Sequence, residues 1–575
     1  MESILIVVVA FIGYLVAYHT YGRYLSQKVF RLDADKQTPS RELEDGVDYV
    51  PTKKQVIFGH HFTSIAGTGP IVGPAIGIIW GWVPALMWIF LGSVFMGAVH
   101  DLGALVISLR HKGHTMAEIT GMVMNRHLKI MFFIIVFLAL LIVIAIFGLV
   151  IAVIFNNYPA AVLPVWLQIP IAIALGRAIR AGTANLTKIT AIAVAAMYGS
   201  IALGYYLPLP MPEIAGLPST GVWTILLLIY AYVASTLSVT TLLQPRDFIN
   251  AWQLMVAMGL LVLGVFIAAP VMVAPAFNLS PEGAPPWMPF LFITIACGAI
   301  SGFHCLVSSG TSSKQVESEP DARFVGYGSM LTEGFLATIV LIACGGGLAL
   351  AYTTADGEVL TGSAAFATHY GSWMASSGLA TKVAAFVIGA ANMIAAVGLP
   401  KELAVVLMGV FVASFAGTTL DTSTRLQRYV ICELAADLKI EALTKRHPAT
   451  LLAVVTAIAL AFYNGAGGKG ALLLWPLFGS MNQLLAGLAL IVVSYWLKQQ
   501  GRNFLVTLLP SLIILVFTSW ALVHTLHGLY SNDSVNIPSL VIGCIALVLQ
   551  IWLTIEGLTM MLRDPVTEAV PTTGG

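Results

Sequence analysis

The sequence predicts an all-α polytopic membrane protein with about fifteen transmembrane helices, two of them interrupted. Three observations carry this expectation. Of 575 residues, 58% are hydrophobic and 10% charged, with a mean hydropathy of +0.89, which leaves too few polar side chains to cover a water-exposed globule. Apolar stretches of spanning length recur from one end of the chain to the other. Two of these stretches are broken at their centres by Gly, Pro and hydroxyl residues, which an uninterrupted helix accommodates poorly. The formal net charge of +1 gives no basic surplus, so membrane lipid is the expected surrounding and nucleic acid is not an expected partner.

The chain divides into an N-terminal span (1–22), a cytoplasmic loop (23–55) and a transport core holding both broken spans (56–353). A second part of the core (354–500), C-terminal spans (501–562) and a cytoplasmic tail (563–575) follow. The first apolar run is kept as a span because Glu2 replaces the basic start of a secretion signal and no small-residue cleavage site follows. Residues 23–54 mix seven Lys/Arg with six Asp/Glu and read as a solvated loop. Further spans are expected near 56–80, 82–109, 130–155, 163–179, 185–206, 221–243, 251–274, 290–312 and 329–352, and then near 450–463, 471–497, 504–527 and 537–562.

Loop charge orients them. Connections 23–54, 110–129, 177–188 and 420–449 are rich in Lys and Arg, whereas 156–162, 207–220, 275–289, 354–378 and 528–536 contain none. By the positive-inside rule the N-terminus faces outside and the C-terminus the cytoplasm. Parity fails only within 363–419. There the runs 379–396 and 401–419, or the weaker 363–378, must include a segment that enters and leaves on one side.

The first broken span carries Gly59 to Gly77, with five glycines, two prolines, the pair His60-His61 and three hydroxyls. Packing glycines alone would not call for Gly67-Thr68-Gly69-Pro70 together with two histidines. In lipid, broken backbone bonds need other partners, so an interrupted span belongs against protein or a wet cavity. The second broken span, Phe290 to Ser313, has Thr294, Gly298, Ser301, Gly302, His304, Ser308 and Ser309. Seven crossings separate the two, so they run in opposite directions, which is the pattern of an inverted repeat. Paired broken segments of this kind point to a transporter's binding site. The identical spacing Gly59/His61/Gly67/Thr68 and Gly302/His304/Gly310/Thr311 is misleading, because inverted repeats match by depth. The midpoints Ala66–Gly69 and Gly298–Gly302 correspond instead.

Ionisable residues inside the membrane are costly and mark function. Asp101 is the foremost proton-carrier candidate, with a structural ion pair to a basic residue as the alternative; it and the adjacent His100 point about 100° apart on the helix and are expected to face different neighbours. His61 and His304 can titrate near neutral pH, or serve as hydrogen-bonded packing residues. Glu333 and Glu118 read first as snorkelling or loop carboxylates. Gln244-Pro245-Arg246-Asp247 and Thr418 to Arg425 read as capped helix ends at the cytoplasmic face, with gate-forming ion pairs the alternative in both places and Arg425, four residues on, the expected partner of Asp421. The hydroxyls of Ser235 to Thr241 are expected to bond back to their own helix. His111 and His114 lack the glutamate and spacing of a zinc protease motif. Cys297, Cys305, Cys344, Cys432 and Cys544 read as reduced packing residues.

The blocks His61 to Pro74, Gly81-Trp82-Val83-Pro84, Gly97-Ala98-Val99-His100-Asp101, Leu243 to Asp247, Ile295 to His304, Leu331-Thr332-Glu333, Thr419 to Arg425 and Phe478 to Ala486 closely resemble the carbon starvation protein A (CstA) family. The resemblance reaches from the first span to about residue 500. It implies a bacterial inner-membrane transporter of peptides or pyruvate, proton-coupled, with LeuT-like inverted repeats.

The expected function is therefore uptake of a small carboxylate-bearing nutrient, pyruvate or a short peptide, by proton symport, with no cofactor, metal or catalytic residue. The expected substrate site comprises His61, Ser64, Gly67, Thr68 and Gly69 with Ser301, Gly302 and His304, the carboxylate lying against a half-helix N-terminus. Asp101, His100 and Glu333 are the ion-coupling candidates. Sodium remains an alternative coupling ion, since Ser64, Thr68 and freed carbonyls are hard oxygen ligands. A sensor or passive channel is the competing class, and a channel would need a filter ring that the sequence does not show.

Overall fold

The computed structural model describes residues 1–181, 185–354, 356–376, 378–531 and 536–563. Of the predicted tail at 563–575, only Arg563 falls among them. Twelve described helices are long and apolar enough to cross a membrane, and the bent pair Lys54–Ala66 and Gly69–Trp80 adds a thirteenth span. The broken pair Trp287–Thr294 and Phe303–Gly310 and the shorter apolar helix Arg446–Phe462 lie beyond these thirteen, so the expected count of about fifteen is approximate.

Burial sorts these helices into layers. Arg126–Asn157, Glu319–Leu350, Lys401–Asp437 and Lys469–Gln499 bury 78–89% of their most apolar windows, whereas Glu2–Val29, Leu186–Tyr206 and Ile537–Leu562 bury 28–33%. The first group surrounds the two broken spans and the second faces outward. Hydropathy alone does not sort them: the inner helix Arg126–Asn157 has a mean hydropathy of 3.5 and the outer Leu186–Tyr206 one of 1.6, and a helix apolar all round suits a buried position as well as a lipid-facing one.

Three boundaries differ from those expected from hydropathy. The first helix continues to Val29 because Leu25, Val29 and Phe30 are buried. The spans expected at 221–243 and 251–274 are Ser219–Thr236 and Leu243–Ala268. The chain leaves the helix at Leu237, and the polar run from Gln244 to Asn250 is helical and buried inside the protein. Ser235 and Thr236 do bond back to their own helix, but Ser238 and Thr241 lie past its end and bond each other at 2.6 Å.

The parity problem resolves on Leu379–Ala395. Lys401–Asp437 runs uninterrupted for 37 residues and makes the required crossing. Asn392, near the end of Leu379–Ala395, donates to the carbonyls of Gly347 and Ala351, where the helix Glu319–Leu350 finishes. Lys382, near its start, lies over the ring of Trp475, at the beginning of the helix Trp475–Gln499. Both ends thus meet the same end of the bundle, and this helix lies across it rather than crossing.

The opposite end is closed by the polar loop. Val50 and Thr52 donate to the carbonyls of Lys314 and Gln315, and Gln244 bonds Thr52 and Gln315, each at 2.8 Å. Asp48 accepts from Arg425 at 2.9 Å and Tyr429 at 2.7 Å. Arg425 therefore pairs with the loop and not with Asp421.

Candidate functional site

The first break is short. Ala66 ends one helix, Gly69 begins the next at a 42° bend, and Gly67 between them has φ +48° and ψ −144°. That backbone region favours glycine, and a Cβ there would also stand 2.5 Å from Thr419 Oγ1. A Cβ on Gly69 would stand 2.2 Å from Cys297 Sγ. Only glycine lets the two breaks touch. Pro70 occupies the first turn of the second half-helix, where its missing N–H leaves no bond unmade.

The second break covers residues 295–302 and is held by Asn482 from a neighbouring inner helix. Its side-chain oxygen accepts from the Ser301 hydroxyl at 3.1 Å and the Phe303 amide at 3.0 Å, and its backbone carbonyl accepts from Gly302 at 2.9 Å. Gly310 and Thr311 lie at the far end of the following helix, away from the break.

Between the breaks lies a cavity of about 330 Å³, lined by Thr68, Gly69, Phe147, Thr294, Cys297 and Lys382 among others. The N-terminus of the nine-residue half-helix Gly69–Gly77 opens onto it, presenting the positive end of a helix dipole.

A second feature is a chain of acids and histidines with almost no solvent exposure. Glu333 Oε2 is 3.4 Å from His304 Nε2, and His304 Nδ1 is 3.2 Å from Asp101 Oδ2. Asp101 also stands 3.9 Å from His61 Nε2 and 3.5 Å from His100 Nδ1. His61 Nδ1 meets Ser312 Oγ at 2.8 Å. Both ring nitrogens of His100 and both oxygens of Glu333 lack a hydrogen-bond partner among the described residues. Two carboxylates alternating with three imidazoles can hold different numbers of protons without rearranging the fold. No group of His, Cys, Asp and Glu suited to a metal ion occurs among the described residues.

His60 points the other way. Its Nδ1 is 2.7 Å from Asp247 Oδ2, and Asp247 Oδ1 is 3.1 Å from Arg246. Arg246 also pairs closely with Asp421, and Tyr230 donates to Asp421 at 2.8 Å. Adjacent side chains on a helix diverge by about 100°, so one His-His pair ties the first broken span to two separate charged networks.

A profile of the family described as carbon starvation protein CstA matches residues 2–521. This chain belongs to the CstA family. It is 34% identical to the peptide transporter CstA of Campylobacter jejuni, covering 90% of this chain and 79% of that protein. It is 32% identical to the pyruvate/proton symporter BtsT of Escherichia coli, covering 91% and 81%. It is 30% identical to the peptide transporter CstA of Bacillus subtilis, covering 96% and 95%. Among solved structures, the manganese transporter of Eremococcus coleocola in complex with an aromatic bis-isothiourea substituted compound superposes with a TM-score of 0.51. That match covers 90% of this chain and 99% of the other at 13% identity, and it attests to the fold alone. The fold is LeuT-like.

Within this CstA-family protein, the residues expected from sequence fall into two places. Thr68 and Gly69 line the cavity, and Gly67 shapes the break beside it. Ser64, His61, Ser301, Gly302 and His304 do not line it. Ser64 bonds Thr422 at 3.2 Å, and His61 and His304 join Asp101. Ser301 and Gly302 are taken up by Asn482, with Ser301 one side chain from the cavity, 3.8 Å from Cys297 Sγ. Asp101, His100 and Glu333 are all in the acid–histidine chain. Glu333 is fully buried, not snorkelling, and His100 does approach Asp101 despite sequence adjacency. Glu118 forms a peripheral ion pair with Lys129.

Sequence reasoning set Arg246, Asp247 and Asp421 at capped helix ends, with ion pairing only the alternative, and missed Lys382. The first three looked like an interfacial helix end because hydropathy places consecutive polar residues at the surface. Their mixed signs and exact counterparts on a distant helix were the available signal. Lys382 sat inside the segment whose path the sequence left open.

Proposed function

We propose that this protein imports a small carboxylate-bearing nutrient, pyruvate or a short peptide, across the bacterial inner membrane by proton symport, with its N-terminus outside. The observation that carries the reading is the proximity of two dissimilar sites. A cavity at the touching breaks, with a half-helix N-terminus suited to an anion, is separated by Cys297 and Ser301 from a buried chain of acids and histidines suited to a proton. The cavity's volume lies at the low end for small-molecule sites. The named activities of the C. jejuni and E. coli relatives support the same substrates and ion. In this reading Thr68 and Gly69 contact the substrate, and Gly67 sets the bend that exposes them. Asp101 exchanges the proton, with His304, His61, His100 and Glu333 sharing it. His61 and His304 belong to the cluster, Ser301 and Gly302 shape the second break and Ser64 bonds Thr422, so none of these five lines the substrate cavity.

The test is uptake of labelled pyruvate and of a labelled dipeptide into proteoliposomes, with a proton gradient and a sodium gradient imposed separately. Accumulation above equilibrium under the proton gradient alone is expected. Accumulation driven only by sodium would overturn the proton assignment, and absence of accumulation under both would overturn symport.

A further inference from the structure

The buried arginines of this protein each meet a carboxylate. Arg246 faces Asp421 and Asp247, Arg425 and Arg428 face Asp48, and Arg110 faces Glu319. Lys314 lies over the rings of Tyr49 and Tyr429, in the field of Asp48 and Glu433. Lys382 differs from all of these.

Its side chain belongs to a residue only 5% exposed, yet its ammonium has no carboxylate within ion-pair distance and makes no hydrogen bond to any described residue. Its one recorded contact is the Trp475 ring, with Nζ 5.1 Å from the centroid. The ammonium thus stands on the cavity wall with an aromatic face beside it and no counter-charge. An incoming anion would supply that counter-charge. Lys382 lines the same cavity as Gly69, at the N-terminus of the half-helix Gly69–Gly77, so two positive features converge on one space. No Asp or Glu among the described residues lines that cavity, so no carboxylate there would balance a substrate's ammonium group.

We propose that Lys382 is the carboxylate-binding residue of the cavity, and that this site takes small carboxylates carrying no positive charge in preference to zwitterions such as dipeptides. The inference rests on the reading that the substrate enters this cavity. The carboxylate lies between the Lys382 ammonium and the Gly69 end of the half-helix, and the uncharged remainder lies against Phe147, Ile146 and Ile293. Lys382 is carried by the helix that lies across one end of the bundle, so the substrate joins that helix to the first broken span.

The experiment measures concentration dependence of labelled pyruvate uptake by the full chain in proteoliposomes, for the native protein, Lys382→Gln and Lys382→Arg, with unlabelled dialanine as competitor. Lys382→Gln is expected to raise KM at least tenfold with a smaller change in maximal rate. Lys382→Arg is expected to stay within about threefold, and dialanine to compete poorly. Quenching of tryptophan fluorescence by pyruvate, lost in Trp475→Phe, reports binding independently of transport. An unchanged KM in Lys382→Gln, or equal loss in Lys382→Arg with intact size-exclusion behaviour, would overturn the assignment. Saturable dialanine uptake without pyruvate uptake would overturn it while leaving symport standing. Native protein that accumulates neither would remove the underlying reading as well.

Discussion

Replacing Asp101 with asparagine keeps the shape of the central residue of the buried chain and removes its charge. Asp101 Oδ2 is 3.2 Å from His304 and 3.9 Å from His61. At an effective dielectric of about 20, opposite charges at about 4 Å attract by about 4 kcal/mol. Without that attraction, proton occupancy of the neighbouring imidazoles falls on the order of a thousandfold. A proton moving with a monocarboxylate is an electroneutral pair, so one pH unit across the membrane supports about tenfold accumulation. In proteoliposomes with an imposed pH difference of one unit, the native protein should approach that ratio, and Asp101→Asn should stay near equilibrium. Exchange of internal for external substrate needs no net proton movement and should persist, which separates lost coupling from lost folding. Accumulation by Asp101→Asn at the native level would refute the assignment of this chain of residues as the proton site.

Gly69→Ala should abolish transport, because its Cβ would stand 2.2 Å from Cys297 Sγ and overpacking costs about 1–3 kcal/mol. The double variant with Cys297→Gly should recover part of the activity, read as uptake rate per folded protein. Arg246→Gln leaves Asp247 and Asp421 buried without their common partner. A loss of about 3–5 kcal/mol is expected, seen as a lower melting temperature in detergent, with partial recovery in Arg246→Gln/Asp421→Asn. Burial alone would push the Asp48 carboxyl up, but Arg425, Arg428 and Lys314 outweigh it and hold it below its ordinary value of 3.8. Its contribution is therefore full above the ordinary carboxylate value and is lost as pH falls through the lowered one. Melting temperature followed from pH 6 downward should fall at the acid end in the native protein and fall less in Asp48→Asn.

The path of residues 363–419 was not legible in the sequence, but the membrane character, most of the crossings and the two breaks were. Each depends on local chemistry: apolar length sets a span, and Gly67, Gly69, Pro70, Gly298 and Gly302 interrupt one wherever they fall. Asp101 and His304 could be singled out because a lone ionisable residue amid apolar neighbours is conspicuous. Arg246, Asp247 and Asp421 could not, since a helix end at the surface and a helix start buried by distant partners have the same composition.

The sequence by itself determined that this chain lives in a membrane, that two of its spans break and which acids and histidines lie within apolar segments. That information is carried by neighbours along the chain. Tertiary structure alone decided that His60 and His61 serve different networks, that Asn482 satisfies the second break, that Leu379–Ala395 fails to cross and that Lys382 and Gly69 line one cavity. Each of these depends on the meeting of residues from separate helices, and helix packing, not local propensity, brings those residues within a few ångströms.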